Sequence, residues 1–175
     1  MEEKERNFEF TSKLTFHDYL LYIYMINKNN FLRYGIISFV IVMLFPMIAV
    51  KNGNYTNLFL GITKPLAIYV LVMVVLLISI RFNAKKYWDT NSFIKEEQNI
   101  KLSNEGIEYS SGISITNISW DKLYKVVEAK KYIYIFLTNS SAYIIPKISF
   151  KSNEEINLVK QLILDKADKK IVEFI

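Results

Sequence analysis

The residues able to do chemistry in this chain are few and scattered. Its single histidine, His17, stands beside Asp18, the pair that a general base and its orienting acid would need. Sequence neighbours on a helix point in different directions, however, so a capping or surface role suits these two better. Carboxylates come as Glu96-Glu97 and Glu154-Glu155, adjacent in helix-like stretches rather than converging on one place. With no cysteine and one histidine in 175 residues, disulfides, thiolate metal sites and multi-histidine sites are excluded. No phosphate-cradling glycine loop, dinucleotide fingerprint, zincin helix or nucleophile elbow occurs, and the five glycines are spread singly. The expectation is a protein that is not an enzyme, with no catalytic residue, cofactor or metal.

Binding is the chemistry left to consider. Lys130, Lys131, Lys147 and Lys151 fall at the ends of strand-like runs and could form a rim for acidic lipid headgroups or an acidic protein partner. The plainer reading makes Lys130-Lys131 a solvated turn. Trp120, next to Asp121, could stack on a ligand, but a tryptophan at a strand edge more often buries its ring and finds one acceptor for its N–H.

These residues must be positioned by elements of two kinds. "YGIISFVIVMLFPMIAV" (34–50) has no charge, and "LFLGITKPLAIYVLVMVVLLISI" (58–80) has only Lys64. Each is close to the ~20 residues that span a bilayer core as a helix, and neither alternates as a barrel strand would. The alternative is a pair of buried core helices, for which this chain has too little else to cover them. The first run also starts too late, and lacks the small-residue ending, for a cleaved signal peptide. "KNGNYTN" between the runs carries an Asn-Gly turn signal, so an antiparallel hairpin is expected. Lys28 and Arg33 before the first run, and Arg81, Lys85 and Lys86 after the second, place both termini in the cytoplasm by the positive-inside rule. Arg33, Arg81, Lys85, Lys86, Tyr87 and Trp88 are thus the expected headgroup anchors. Pro46 and Pro65 fall near the outer helix ends, where a kink is tolerated. Lys64 either snorkels to the outer headgroups or marks a transport path, the basis for an alternative role as a small transporter accessory subunit.

Charge narrows the partners. Residues 82–175 hold fourteen basic and twelve acidic side chains, too balanced for a nucleic-acid binder. The net charge of +5 is better explained by membrane orientation and contact with anionic headgroups.

Around the two apolar runs the texture is strand-like. "NFEFTSKL" alternates Phe8, Phe10 and Ser12 with polar neighbours and predicts a strand, followed by a helix capped by Thr15 and Asp18. The second span is expected to continue as a cytosolic helix through 82–99. From Ile100 onward short strands alternate with turn signals, and Ser152 with Glu155 opens a last helix whose Ile156, Val159, Ile163 and Ala167 lie on one face. Gly106 permits the first hairpin turn, and Pro146, unable to donate to a ladder, ends the last strand. "YIYIFL" and "YIIP" are apolar on both faces, so Tyr132, Tyr134 and Phe136 need cover. The helices, the bilayer or a second copy of the chain could supply it, which makes a homo-oligomer an expected arrangement.

The divisions that result are 1–33 (strand and juxtamembrane helix), 34–81 (transmembrane hairpin), 82–99 (helical extension) and 100–175 (strand-rich domain). This order resembles the bacterial YcxB-like proteins. The residues that carry the resemblance are the turn Asn104-Glu105-Gly106-Ile107, the Trp120 that opens a Lys-Val-Val-Glu strand, and the ending Ile144-Ile145-Pro146-Lys147. In similar proteins an arginine often follows the Pro-Lys pair, where this chain has Ile148. The resemblance implies a C-terminal pleckstrin-homology-like domain. The fold class expected is therefore an α+β membrane protein: a two-helix hairpin inserted after an N-terminal strand and helix, then an antiparallel half-open barrel closed by a C-terminal helix. The function expected is a membrane-anchored regulatory or scaffolding protein at the cytoplasmic face, with an anionic-lipid-binding module as the alternative.

Overall fold

The computed structural model describes residues 6–51, 58–112 and 114–174. The Asn-Gly turn expected at 52–53 lies outside them, as do the side chains of 45–51 and 58–61. The chain divides into two compact units, residues 1–19 with 88–175 and residues 20–87.

The first unit is built on a strand pair whose partners are far apart in sequence. β1 (Phe8–Ser12) pairs antiparallel with β2 (Gln98–Leu102), Ser12 opposite Gln98, although helices α1 (Phe16–Lys51) and α2 (Leu58–Thr90) lie between them. The end of β1 and the start of β2 therefore coincide. Rings from the two chain segments meet there: Phe16 and Tyr19 lie 6.1 and 5.8 Å from Trp88. The inward phase of β1 is the one expected, Phe10 and Ser12 buried and Phe8 partly so. The cap of α1 also forms, since Thr15 N–H donates to Asp18 Oδ2 at 2.8 Å and Asp18 N–H returns a 3.3 Å bond to Thr15 Oγ1.

β3 (Ile107–Ser111) and β4 (Ser114–Ile118) complete a sheet in the order β1-β2-β3-β4. A second sheet has the order β7-β6-β5-β8, from β5 (Lys125–Glu128), β6 (Tyr132–Phe136), β7 (Ala142–Pro146) and the two-residue β8 (Val172–Glu173). Two points depart from expectation. The strands form two four-stranded sheets rather than one half-open barrel, and β8 joins β5 in parallel. The expected helical extension over 82–99 also stops short: α2 ends at Thr90, a single helical turn follows at Phe93–Lys95, and Gln98-Asn99 already pair with β1.

α3 (Asn153–Lys166) opens with the capping interaction read from sequence: Glu155 N–H donates to Ser152 Oγ at 3.2 Å. Its buried Val159, Leu162 and Ile163 join Ile100, Leu102, Ile107, Val126, Ile133 and Ile145 in one continuous core shared by both sheets. Pro146 closes β7 on a sheet edge, where its missing N–H removes no internal bond, and Lys147 N–H donates the next one to Lys131 O at 2.8 Å.

In the second unit α1 and α2 run antiparallel. Tyr69 Oη donates to Gly35 O at 3.1 Å, and the Phe39 and Tyr69 rings sit 5.6 Å apart. Many of their other apolar side chains face outward, Leu71 63% and Ile78 61% exposed. Among the described residues one helix, Ile62–Thr90, is long and apolar enough to cross a membrane, and no part of its most apolar stretch is buried.

Candidate functional site

The residues singled out from sequence separate into three groups. The first surrounds Trp120. Its ring is buried, and Nε1–H donates to Ser103 O at 3.1 Å, so it is a packed corner and not an open stacking surface. Ser103 N–H in turn bonds Gly106 O at 2.9 Å. A Cβ on Gly106 would come within 2.4 Å of Ile118 O, so the glycine is required by the close approach of β4 as well as by the turn. The Asn-Glu-Gly turn and Trp120 are thus one structural unit. The turn residues Asn104, Glu105 and Gly106 line a polar groove of about 730 Å³, with Lys101 and Asn117 on its walls.

The lysines form the second group, and they are not equivalent. Lys130 and Lys131 occupy the β5–β6 turn and are exposed, closed by Ala129 N–H to Tyr132 O at 2.8 Å. Lys151 is exposed too. Lys147 is different, because its Nζ lies 2.6 Å from Glu128 Oε1 while Lys160 Nζ lies 2.7 Å from Oε2. Glu128 is 7% exposed. Alternation along β5 sends Val126 and Glu128 to the same buried face, and the two lysines arrive from the turn after β7 and from α3. Lys147 is therefore a strut between sheet and helix, and it leaves the expected rim with three exposed lysines. Beside it, Ile148 is 92% exposed.

Glu128 and Lys160 were not among the residues that sequence reasoning selected. The available signal was a carboxylate at an inward strand position, one alternation beyond Val126, which a buried partner must compensate. Lys160 also lies 5.0 Å over the Phe174 ring.

The third group comprises the expected membrane anchors. Arg33, Arg81, Lys85, Lys86 and Tyr87 are exposed, and Arg33 lies over the Tyr34 ring at 5.2 Å. Trp88 departs from expectation. It is 9% exposed and packed with Phe16 and Tyr19, so little of its ring is offered to a surrounding solvent of any kind. Lys64 is exposed on α2.

The face of β6 that needed cover is buried, with Tyr132 at 6%, Tyr134 at 2% and Phe136 at 6% exposure. Tyr132 Oη donates to Asp18 Oδ1 at 2.6 Å, which brings the first turn of α1 onto it. Burial alone would raise the Asp18 carboxyl, but hydrogen bonds from Tyr132 and Thr15 outweigh it and hold the group below its ordinary value. Burial, with the Asp18 charge, pushes the Tyr132 phenol well up. His17 is exposed, and the Asp18 carboxylate is engaged by Thr15 and Tyr132. Among the described residues no cluster of three or more histidine, cysteine or carboxylate side chains could hold a metal.

Comparison with known proteins follows the same residues. A model of the YcxB-like protein family matches residues 102–163, which contain the Gly106 turn, Trp120, Glu128 and Lys147. The chain is 30% identical over 126 residues to the uncharacterized protein YcxB of Bacillus subtilis (strain 168), covering 71% of this chain and 68% of that one. No solved structure matches. On the strength of that likeness, the chain belongs to the YcxB-like family.

Proposed function

We propose that this is a membrane-anchored, non-enzymatic protein that presents its folded unit at the cytoplasmic face of a bacterial membrane, as a regulatory or scaffolding module for a protein partner. α1 and α2 would form a transmembrane hairpin with both termini cytoplasmic, and the folded unit would be the pleckstrin-homology-like domain that the family resemblance implies. The observation that carries this reading is the surface of α2, a helix apolar and long enough to cross a bilayer whose apolar side chains are left uncovered. In water so large an exposed apolar surface is unfavourable; in lipid it is matched. The 36 residues of α1 and 33 of α2 correspond to about 50 Å of helix each, which exceeds a bilayer core of about 30 Å and leaves turns projecting.

A non-enzymatic role is supported by how the ionisable groups are used. Asp18 caps a helix and holds Tyr132, and Glu128 joins two lysines. A second reading, an anionic-lipid-binding module, draws on the exposure of Lys130, Lys131 and Lys151. Replacing all three with Ala should weaken flotation of the full chain with acidic vesicles if that reading holds.

Fractionation tests the main reading. The full-length chain should sediment with membranes, resist an alkaline wash and require detergent for release, with reporters on both termini active only in the cytoplasm. Recovery in the supernatant of lysed cells without detergent would overturn it. Cross-linking in intact cells should then capture a partner protein or a second copy.

A further inference from the structure

In the second unit the antiparallel helices leave a cleft of about 260 Å³. Tyr24, Phe31 and Leu32 of α1 face Leu77 and Ile80 of α2 across it. Asn27 also lines the cleft, but its Nδ2 is turned to Ile23 O at 2.8 Å, so its amide is partly engaged by its own helix. Lys28 completes the lining and is exposed. The cleft is thus apolar along its walls, lined in part by the stem of an exposed lysine, a combination that suits an amphiphile with an anionic head.

The surrounding charge strengthens this. Residues 20–87 contain seven lysines and arginines and no aspartate or glutamate. The side chains one helical turn from Lys28, Tyr24, Phe31 and Leu32, are uncharged, as are Leu77 and Ile80 facing it. No acidic side chain of that unit can neutralise Lys28.

We propose that this cleft binds one anionic phospholipid, its phosphate against Lys28 and the upper part of an acyl chain between Leu77, Ile80 and Phe31. The site rests on the membrane-anchored reading but is separate from the lysines of the folded unit. A free phosphate ion would satisfy the ammonium and leave the apolar walls unused, whereas a phospholipid uses both.

The test uses the full-length chain reconstituted in vesicles of equal phosphatidylglycerol and phosphatidylcholine, extracted gently and weighed by native mass spectrometry. Phosphatidylglycerol should be retained in about fivefold preference, the ratio that one lysine-phosphate contact near a membrane surface supports. Lys28→Glu should abolish the preference and Lys28→Arg should keep it. Leu77→Trp, which fills the cleft, should remove bound lipid of either kind. Equal retention of the two lipids, or a preference unchanged in Lys28→Glu, would overturn the site, as would displacement of the lipid by inorganic phosphate. Failure to enter vesicles at all would instead remove the membrane reading, and this site with it.

Discussion

Residues 20–87 and the rest of the chain solve opposite problems with the same twenty side chains. The folded unit, 1–19 with 88–175, carries fifteen basic and seventeen acidic residues and sets several against each other, as at Glu128 with Lys147 and Lys160 or Lys125 with Glu173 at 2.7 Å. Most of the apolar side chains of its strands are drawn into one core, with Ile115 among the exceptions. The helical unit contains seven lysines and arginines and no aspartate or glutamate of its own, and it turns Leu71, Ile78 and Val70 outward. A region that hides its apolar groups and compensates its charges is made for water. On the reading proposed above, a region that exposes apolar side chains and carries an excess of positive charge suits the bilayer, which offers an apolar interior and a negatively charged surface together.

The sharpest break in this comparison is a charge placed where lipid is proposed. Leu71 lies near the middle of the uncharged stretch between Lys64 and Arg81. Leu71→Asp should disfavour insertion by about 3–4 kcal/mol and deplete the chain from the membrane fraction. Ile115→Asp, at a site 69% exposed on β4, should change stability by no more than about 0.5 kcal/mol and leave the membrane fraction intact. Equal tolerance at the two sites, read by fractionation and expression level, would erase the distinction between the units.

Charge compensation in the folded unit gives the next effect. Glu128→Ala strands two ammonium groups that are only 22% and 20% exposed, and should cost about 2–3 kcal/mol in chemical denaturation. Changing the three together, Glu128→Leu with Lys147→Met and Lys160→Met, should recover most of that loss, because an ion cluster and an apolar one of similar volume are nearly equivalent once no charge is left unpaired. If the triple variant is as unstable as the single one, the cluster contributes something other than mutual neutralisation.

What the sequence made legible follows from distance along the chain. The phase of β1, the caps at Thr15–Asp18 and Ser152–Glu155, the burial of Val159 and Ile163 on α3 and the strand end at Pro146 are local patterns, and each is present. The Tyr132–Asp18 bond joins residues 114 apart and Lys160–Glu128 residues 32 apart, and no periodicity encodes such pairs. β8 has two residues, too few to show alternation. Trp88 carries the local signature of an interfacial aromatic, yet contacts from Phe16 across the chain make it interior. The candidate site was legible to a similar degree: the solvated turn expected at Lys130-Lys131 is exposed, while the role of Lys147 depended on a carboxylate whose burial is decided by the packing of α3.

Tyr132 tests the point where the first turn of α1 meets the sheet. Tyr132→Phe removes a charge-assisted bond to a partly buried carboxylate and should cost about 1–2 kcal/mol after allowance for solvent screening. The same bond makes stability depend on pH. Because the folded state holds the Asp18 carboxyl below its ordinary value of 3.8, its contribution is complete above that value and is lost as pH falls through the lower folded one. Thermal unfolding followed from pH 7 to acid should therefore show a loss that is smaller in Asp18→Asn and in Tyr132→Phe. An identical acid response in all three proteins would mean that Asp18 contributes nothing to the joint.

The smallest effect concerns a lapse in the folded unit's otherwise thorough pairing. Ser12, Gln98 and Ser111 stand in one register row across β1, β2 and β3, all buried, and the Ser12 and Ser111 hydroxyls have no hydrogen-bond partner among the described residues. A buried hydroxyl without a partner is a desolvation penalty with no return, so removing it should help. Ser111→Ala is expected to leave stability unchanged or raise it by up to about 1 kcal/mol in denaturant unfolding, since the loss of one oxygen opens little space and strand preference shifts only slightly. A loss of more than about 1 kcal/mol would show that water fills the row and bridges the hydroxyls to Gln98. In that event the row would be paired through water, and the contrast with residues 20–87, which hold no acidic side chain, would be stronger than the direct contacts alone display.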